Sequence, residues 1–146
     1  MQRDPRYEDV VDDVKAFLEE RLAFAVREGV SERRVLLDPG IGFGKTVVHN
    51  LELLRRLDEL LTIGRPLLIG TSRKSFLGRV AARGGEPLPV GARLPGTLAT
   101  NVLAFERGAS VFRVHDVAPV REALAVTAAT LGERWTARSI GTTRMS

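Results

Sequence analysis

At 146 residues, 44% apolar and 27% charged, the chain is long enough for one domain with a buried core and has ordinary globular composition. No run approaches the ~20 apolar residues of a membrane span, no signal-peptide pattern opens the chain, and without cysteine there are neither disulfides nor thiolate metal sites. A soluble cytoplasmic protein is expected, and its net charge of +4 and pI near 10.3 raise nucleic acid as a partner.

That partner is set aside on distribution. The cations are nearly all arginine and lie among acids, as in Glu52-Leu53-Leu54-Arg55-Arg56 and Arg121-Glu122, and aromatics that could stack on bases are few. Of three lysines, Lys45 and Lys74 fall in loops between apolar runs.

The first thirty residues read as one amphipathic helix. Asp4-Pro5 offers a cap and a first-turn proline, Val10, Val14, Phe17, Leu18, Leu22 and Val26 recur on one face, and Gly29 closes it. Ser31 is placed to cap a single turn before a short buried strand, Val35 to Leu37. A glycine turn follows, and Asn50 is the expected N-cap of a second helix whose apolar face is Leu51, Leu54, Leu57 and Leu61, ending at Gly64.

A second buried strand, Leu67 to Gly70, runs into Thr71-Ser72-Arg73-Lys74-Ser75. A short helix from Phe76 to Ala82 and a Gly/Pro-rich loop from Arg83 to Pro89 come next. The third long helix runs from about Pro95 to Arg107, with Gly108 beyond it. Strand three, Val111 to Val114, then leads into His115-Asp116-Val117. A last helix, about Pro119 to Leu131, carries Val120, Leu124, Thr127 and Leu131 on one side, and the aperiodic tail, residues 132–146, is expected to fray. The order α-βα-βα-βα implies parallel strands joined by right-handed crossovers. Three such strands leave edges and a face to be covered, and a closed barrel of eight usually takes about 250 residues, so the chain reads as part of one.

Each strand ends in chemistry-bearing residues. Leu36-Leu37-Asp38-Pro39-Gly40-Ile41-Gly42-Phe43-Gly44-Lys45 puts a carboxylate at the strand terminus, then glycines that let the backbone approach a ligand. The segment is not a phosphate-binding P-loop, because the first glycine of that pattern would fall on Pro39. Ser72-Arg73-Lys74 ends the second strand. Arg113 and His115 end the third, two residues apart and so on one side, where a guanidinium fork and an imidazole suit a phosphate or diphosphate. In a parallel sheet the three ends share one rim. His115-Asp116 is a weak metal pair or dyad, since adjacent strand residues face opposite ways, and no serine-histidine-acid triad is recognisable.

The segments 36–45, Gly-Thr-Ser-Arg-Lys-Ser at 70–75 and Arg-Val-His-Asp-Val at 113–117 resemble, in order and spacing, the three downstream signatures of the bacterial dihydropteroate synthase family, and the likeness runs to about Leu131. The resemblance implies a (β/α)8 barrel of which residues 1–146 hold strands six to eight with their helices. It implies condensation of p-aminobenzoate with a pterin methyl diphosphate, releasing pyrophosphate. By the same resemblance Asp38 holds the pterin ring, and Gly42 and Phe43 line the two substrate pockets. Ser72 sits near the aminobenzoate carboxylate, and Arg73 belongs to the substrate-binding set. Lys74, Arg113 and His115 are the catalytic residues, Lys74 contacting the pterin and Arg113 and His115 binding the diphosphate. Mg2+ is the implied cofactor, with no ligand in this chain and its main ligand in an absent N-terminal half. The missing half implies that the chain does not act alone. The expectation is a truncation, or a half-barrel that assembles with a separate N-terminal chain. A related pterin-binding methyltransferase barrel is the alternative family, and a homodimer is expected of a complete barrel.

Overall fold

A computed structural model describes residues 7–132. Its helices and short parallel strands alternate in the expected order. Helix α1, Val10–Arg27, is capped by Asp9, whose carboxylate accepts the backbone N–H groups of Val11 (2.8 Å) and Asp12 (3.1 Å). The Asp4-Pro5 start expected above lies outside the described residues. Val10, Val11, Val14 and Leu18 are buried, but Phe17 and Val26, expected on the same face, are exposed. The buried stripe is narrower than the periodicity implies because α1 packs chiefly along its first half, and Phe17 and Phe24 instead flank the Arg21 guanidinium.

A single 3₁₀ turn, Glu32–Arg34, follows Ser31, whose side chain makes no capping bond. The strand expected at Val35–Leu37 is reduced to one parallel bridge, Leu37 to Leu67, held by Leu37 N–H on the Pro66 carbonyl (3.0 Å) and Leu68 N–H on the Leu37 carbonyl (2.8 Å). Strand β1, Leu68–Ile69, pairs in parallel with β2, Val111–Phe112, in the register Leu68–Val111 and Ile69–Phe112. The ladders are short, each strand turning at once into the loop that follows it. Leu37, Leu67 and Ile69 are buried beneath the helices, whereas Leu36 on the opposite face is 48% exposed. The sheet is thus covered on one face and partly open on the other.

Helix α2, Val47–Arg55, begins before Asn50. Thr46 is its cap, accepting the His49 N–H (3.2 Å) while His49 Nδ1 accepts the Thr46 N–H (3.3 Å). Asn50 is therefore not a cap but a buried residue in the first turn. The backbone breaks at Arg56, and α3, Leu57–Leu60, continues to a 3₁₀ turn and Gly64. This break rotates the apolar stripe: Leu53, Leu54, Leu57 and Leu60 are buried, Leu51 is exposed and Leu61 only partly covered. Arg56 ties the segment to α1, donating to Asp9 (2.7 Å) and Glu59 (2.7 and 2.9 Å).

Helices α4 (Ser75–Val80), α5 (Leu94–Glu106) and α6 (Val117–Thr130) complete the described fold, with α5 and α6 packed together. α6 buries Val120, Leu124 and Ala128, leaving Leu131 exposed. Residues 133–146, most of the tail expected to fray, lie outside the described residues.

Gly78 in α4 has a structural task. A Cβ there would stand 2.7 Å from the Leu88 carbonyl oxygen and 2.8 Å from Arg93 Nε, and Leu88 N–H donates to the Gly78 carbonyl (3.0 Å). Alanine favours a helix over glycine by up to ~1 kcal/mol, but overpacking against backbone costs roughly 1–3 kcal/mol. Gly78→Ala should therefore lower stability by up to about 2 kcal/mol in urea unfolding. A gain would show that the 84–93 loop yields freely.

Candidate active site

The glycine turn is held from three sides. Asp38 Oδ1 accepts the Gly40 N–H (2.8 Å), fixing the turn's first step. Ile41 is buried and anchors the turn in the core. Asn50 reaches up from α2, its Oδ1 accepting the Gly42 N–H (2.7 Å) and its Nδ2 donating to the Thr46 carbonyl (2.7 Å). Gly42 has φ of +82°, a conformation that favours glycine, and it lies against the Lys74 stem, where a Cβ would stand 2.8 Å from Lys74 Cδ. Lys45 turns inward to the carbonyls of Gly40 (3.1 Å) and Phe43 (3.2 Å). Burial pushes its pKa down, against the pull of the Asp38 charge. Phe43 is left half-exposed, with Lys74 Nζ 3.5 Å from its ring centroid.

The loop after β1 is clasped to the loop after β2. Ser72 is 4% exposed, and its Oγ accepts the His115 backbone N–H (3.1 Å) and lies 2.9 Å from His115 Nδ1. One residue along, Arg73 pairs bidentately with Asp116, at 2.9 Å (Nε–Oδ2) and 2.5 Å (Nη2–Oδ1). Arg73 has φ of +57°, rare for a residue with a side chain. Its N–H donates to Thr97 Oγ1 (3.1 Å) and its carbonyl accepts from Arg93 Nη1 (2.9 Å), which hold that conformation. Beneath lies a buried network in which Thr71 Oγ1 meets Thr100 Oγ1 (2.8 Å) and Asn101 Nδ2 (3.3 Å).

The Arg73 guanidinium holds the Asp116 carboxyl below the usual aspartate range, chiefly by hydrogen bonding, with desolvation opposing and the Arg73 charge adding a smaller pull. A carboxyl with a lowered folded pKa contributes stability that is fully present above its unfolded value, about 3.9, and lost as pH falls through the folded one. Acid should therefore open the clasp only at a pH beneath the ordinary aspartate range. Asp116→Asn should flatten that part of the pH–stability curve in denaturant titrations, whereas parallel curves for the two proteins would exclude the clasp as its source.

The third strand end brings Arg113 across to the first. Its Nη2 donates to Asp38 Oδ2 (3.1 Å), crossing Gly70 so closely that a Cβ there would lie 2.7 Å from that nitrogen. The three loops enclose a cleft of about 410 Å³ lined by Asp38, Phe43, Gly70, Ser72, Lys74, Arg113, Val114 and His115. Lys74 loses basicity, mostly to burial and then to the neighbouring Arg113 charge, with Asp38 opposing. Two cations and an imidazole against one carboxylate leave the cleft with an excess of positive charge, which suits an anion.

Six of the eight sequence-expected residues thus line one cleft, and Gly42 backs it against the Lys74 stem. Arg73 is turned outward to Asp116 and does not line the cleft. His115 and Asp116 do turn to different partners, but they lie in the loop after β2 and not in a strand, so strand alternation is not the cause. Asn50, Gly70, Thr97 and Asp116 were not identified as contributors from sequence. Gly70 carried a signal as a glycine closing an apolar strand, Asn50 was read only as a cap, and Asp116 only as a weak partner of His115. Among the described residues, no group of three or more His, Asp or Glu side chains converges to hold a metal ion. No helix among them is long and apolar enough to cross a membrane.

A family model described as pterin binding enzyme matches residues 1–115, ending at His115. The dihydropteroate synthase of Haemophilus influenzae is 43% identical over 130 residues, covering 89% of this chain and 46% of the relative. The Yersinia pestis dihydropteroate synthase, solved with a sulfonamide drug complex, superposes with a TM-score of 0.84 at 38% identity, covering 90% of this chain and 46% of that one. The Xanthomonas albilineans enzyme, solved with 7,8-dihydropteroate, gives 0.82 at 42% identity over 87% of this chain and 47% of its own. It has also been solved with 4-aminobenzoic acid. The chain spans about half the length of these relatives. Matched through all three of its strand-end loops, the chain belongs to the pterin-binding enzyme family, and these relatives are dihydropteroate synthases.

Proposed function

We propose that this chain forms the C-terminal part of a dihydropteroate synthase barrel, strands six to eight with their helices, and supplies one side of its active site in folate biosynthesis. The reaction joins p-aminobenzoate to 6-hydroxymethyl-7,8-dihydropterin diphosphate. The arylamine nitrogen forms a bond to the pterin methylene carbon, and the carbon–oxygen bond to the diphosphate breaks. The electron pair leaves on pyrophosphate, and the amine gives up a proton to yield 7,8-dihydropteroate. The observation that carries this reading is the convergence of Lys74, Arg113 and His115 beside Asp38 and Phe43 in one cleft. Fixed positive donors stabilise the charge that builds on a leaving diphosphate.

In this reading Arg113 and His115 take the diphosphate, and Asp38 accepts from the pterin ring. Phe43 and the Lys74 stem line the two ring pockets, and Ser72 lies near the aminobenzoate carboxylate. A diphosphate that draws Arg113 away frees Asp38 Oδ2 for the pterin. Arg73 acts on the shape of its loop through Asp116. Magnesium belongs to the same proposal, with its main ligand expected in the N-terminal half. Cytoplasmic location and homodimer formation belong to the same proposal for the complete barrel.

The test is turnover. The chain alone should form no dihydropteroate above background from the two substrates. Mixing it with the N-terminal half of the Haemophilus influenzae relative should restore formation. Turnover by the chain alone would overturn the half-site reading, and failure of every such mixture to restore it would overturn the assembly.

A further inference from the structure

We infer that Ser72 fixes His115 as its Nε2–H tautomer, so that the neutral ring offers a hydrogen-bond donor, rather than a lone pair, to an anion in the cleft. The argument is a count of one proton. Ser72 Oγ has one hydrogen and two acceptor positions. The His115 backbone N–H occupies one acceptor position (3.1 Å), and among the described residues the only other partner is His115 Nδ1 at 2.9 Å. Ser72 is 4% exposed, so water in the cleft has little access to its hydroxyl hydrogen.

If Nδ1 carried the ring proton, it would donate to Ser72 and leave that hydroxyl hydrogen buried without a partner. If Nδ1 is bare, it accepts the hydroxyl and every group is satisfied. The cost of a stranded buried donor makes the second arrangement preferred by roughly tenfold or more. The ring proton then resides on Nε2, which makes no hydrogen bond among the described residues while His115 lines the cleft. Arg73 and Asp116, one residue further along each loop, hold the two backbones at this spacing. Ser72 is thus a positioning residue for His115 as well as a wall of the cleft. The ring need not be protonated to bind an anion. The assignment rests on the proposed function only for the anion's identity as a diphosphate.

The chain has two histidines, which makes the test direct. In histidine-labelled protein about two pH units above the ordinary imidazole value of roughly 6.5, two-bond ¹⁵N–¹H spectra report which ring nitrogen is protonated. His115→Gln identifies the His115 signals, and His49, whose Nδ1 accepts the Thr46 N–H, is the internal fold reference. His115 should show a protonated Nε2 and a hydrogen-bonded, bare Nδ1. Ser72→Ala should move that Nδ1 resonance toward an unbonded ring nitrogen and let the Nδ1–H form grow in, with His49 unmoved. An Nδ1–H ring in the unmodified chain, or an Nδ1 resonance indifferent to Ser72→Ala, overturns the assignment. If the variant fails to fold, the unmodified spectrum decides alone. Inorganic pyrophosphate should perturb Nε2–H without changing the tautomer, and a switch to Nδ1–H on binding overturns it. Absence of pyrophosphate binding counts against the proposed function and leaves the tautomer as measured.

Discussion

Arg113→Ala should weaken binding of inorganic pyrophosphate by roughly tenfold to a hundredfold, as expected for losing hydrogen bonds to a charged group worth about 1.5–3 kcal/mol. Arg113 is the one cleft residue that can offer two parallel N–H groups to an anion. Its contact with Asp38 is solvent-exposed, the arginine side chain being 58% accessible, so breaking it to receive a ligand costs little. Arg113→Lys keeps the charge without the fork and should recover only part of the affinity. A second readout separates loss of the cation from misfolding. The Arg113 charge helps to lower the Lys74 pKa, so removing it should raise that pKa toward the ordinary lysine value. Calorimetric titration and a pH titration of Lys74 are the measurements. Unchanged pyrophosphate affinity would remove Arg113 from the anion site.

Asn50→Ala should destabilise the chain by roughly 2–4 kcal/mol: about 1 for the lost bond to the Thr46 carbonyl and 1–3 for the Gly42 N–H left without its acceptor. The effect should centre on the glycine turn. Asn50 is 2% exposed and is the only side chain seen to hold the backbone at Gly42 among the described residues. Its loss lets Gly42 leave the Lys74 stem and Phe43 leave the Lys74 ammonium, so the wall of the cleft loosens with the fold. Urea unfolding gives the total, and hydrogen exchange at the Gly42 amide gives the location. Full protection of that amide in Asn50→Ala would show that the turn is held by Ile41 and Lys45 instead.

What the sequence determined by itself is the order of the elements and the chemistry at their ends. Periodicity of 3.6 along Val10–Leu18, apolar runs at Leu67–Ile69 and Val111–Phe112, and glycines at 64 and 108 are local signals, and the helices and strands form where these lie. Because parallel strands share a direction, placing Asp38, Lys74 and His115 at their C-terminal ends already implied one rim. Only the tertiary structure decided which polar side chains meet there. Ser72 and Arg73 find His115 and Asp116 from 43 residues away, and Arg113 finds Asp38 from 75. Arg73 pairs with Asp116, and a cation in a polar loop carries no mark of that partner in the sequence. Asn50 looked like a cap because its side chain suits one, yet Thr46 precedes it with the same capacity and left Asn50 free to hold Gly42. Local propensity acts within a turn or two of chain, whereas hydrogen bonds between loops depend on how the strands bring those loops together.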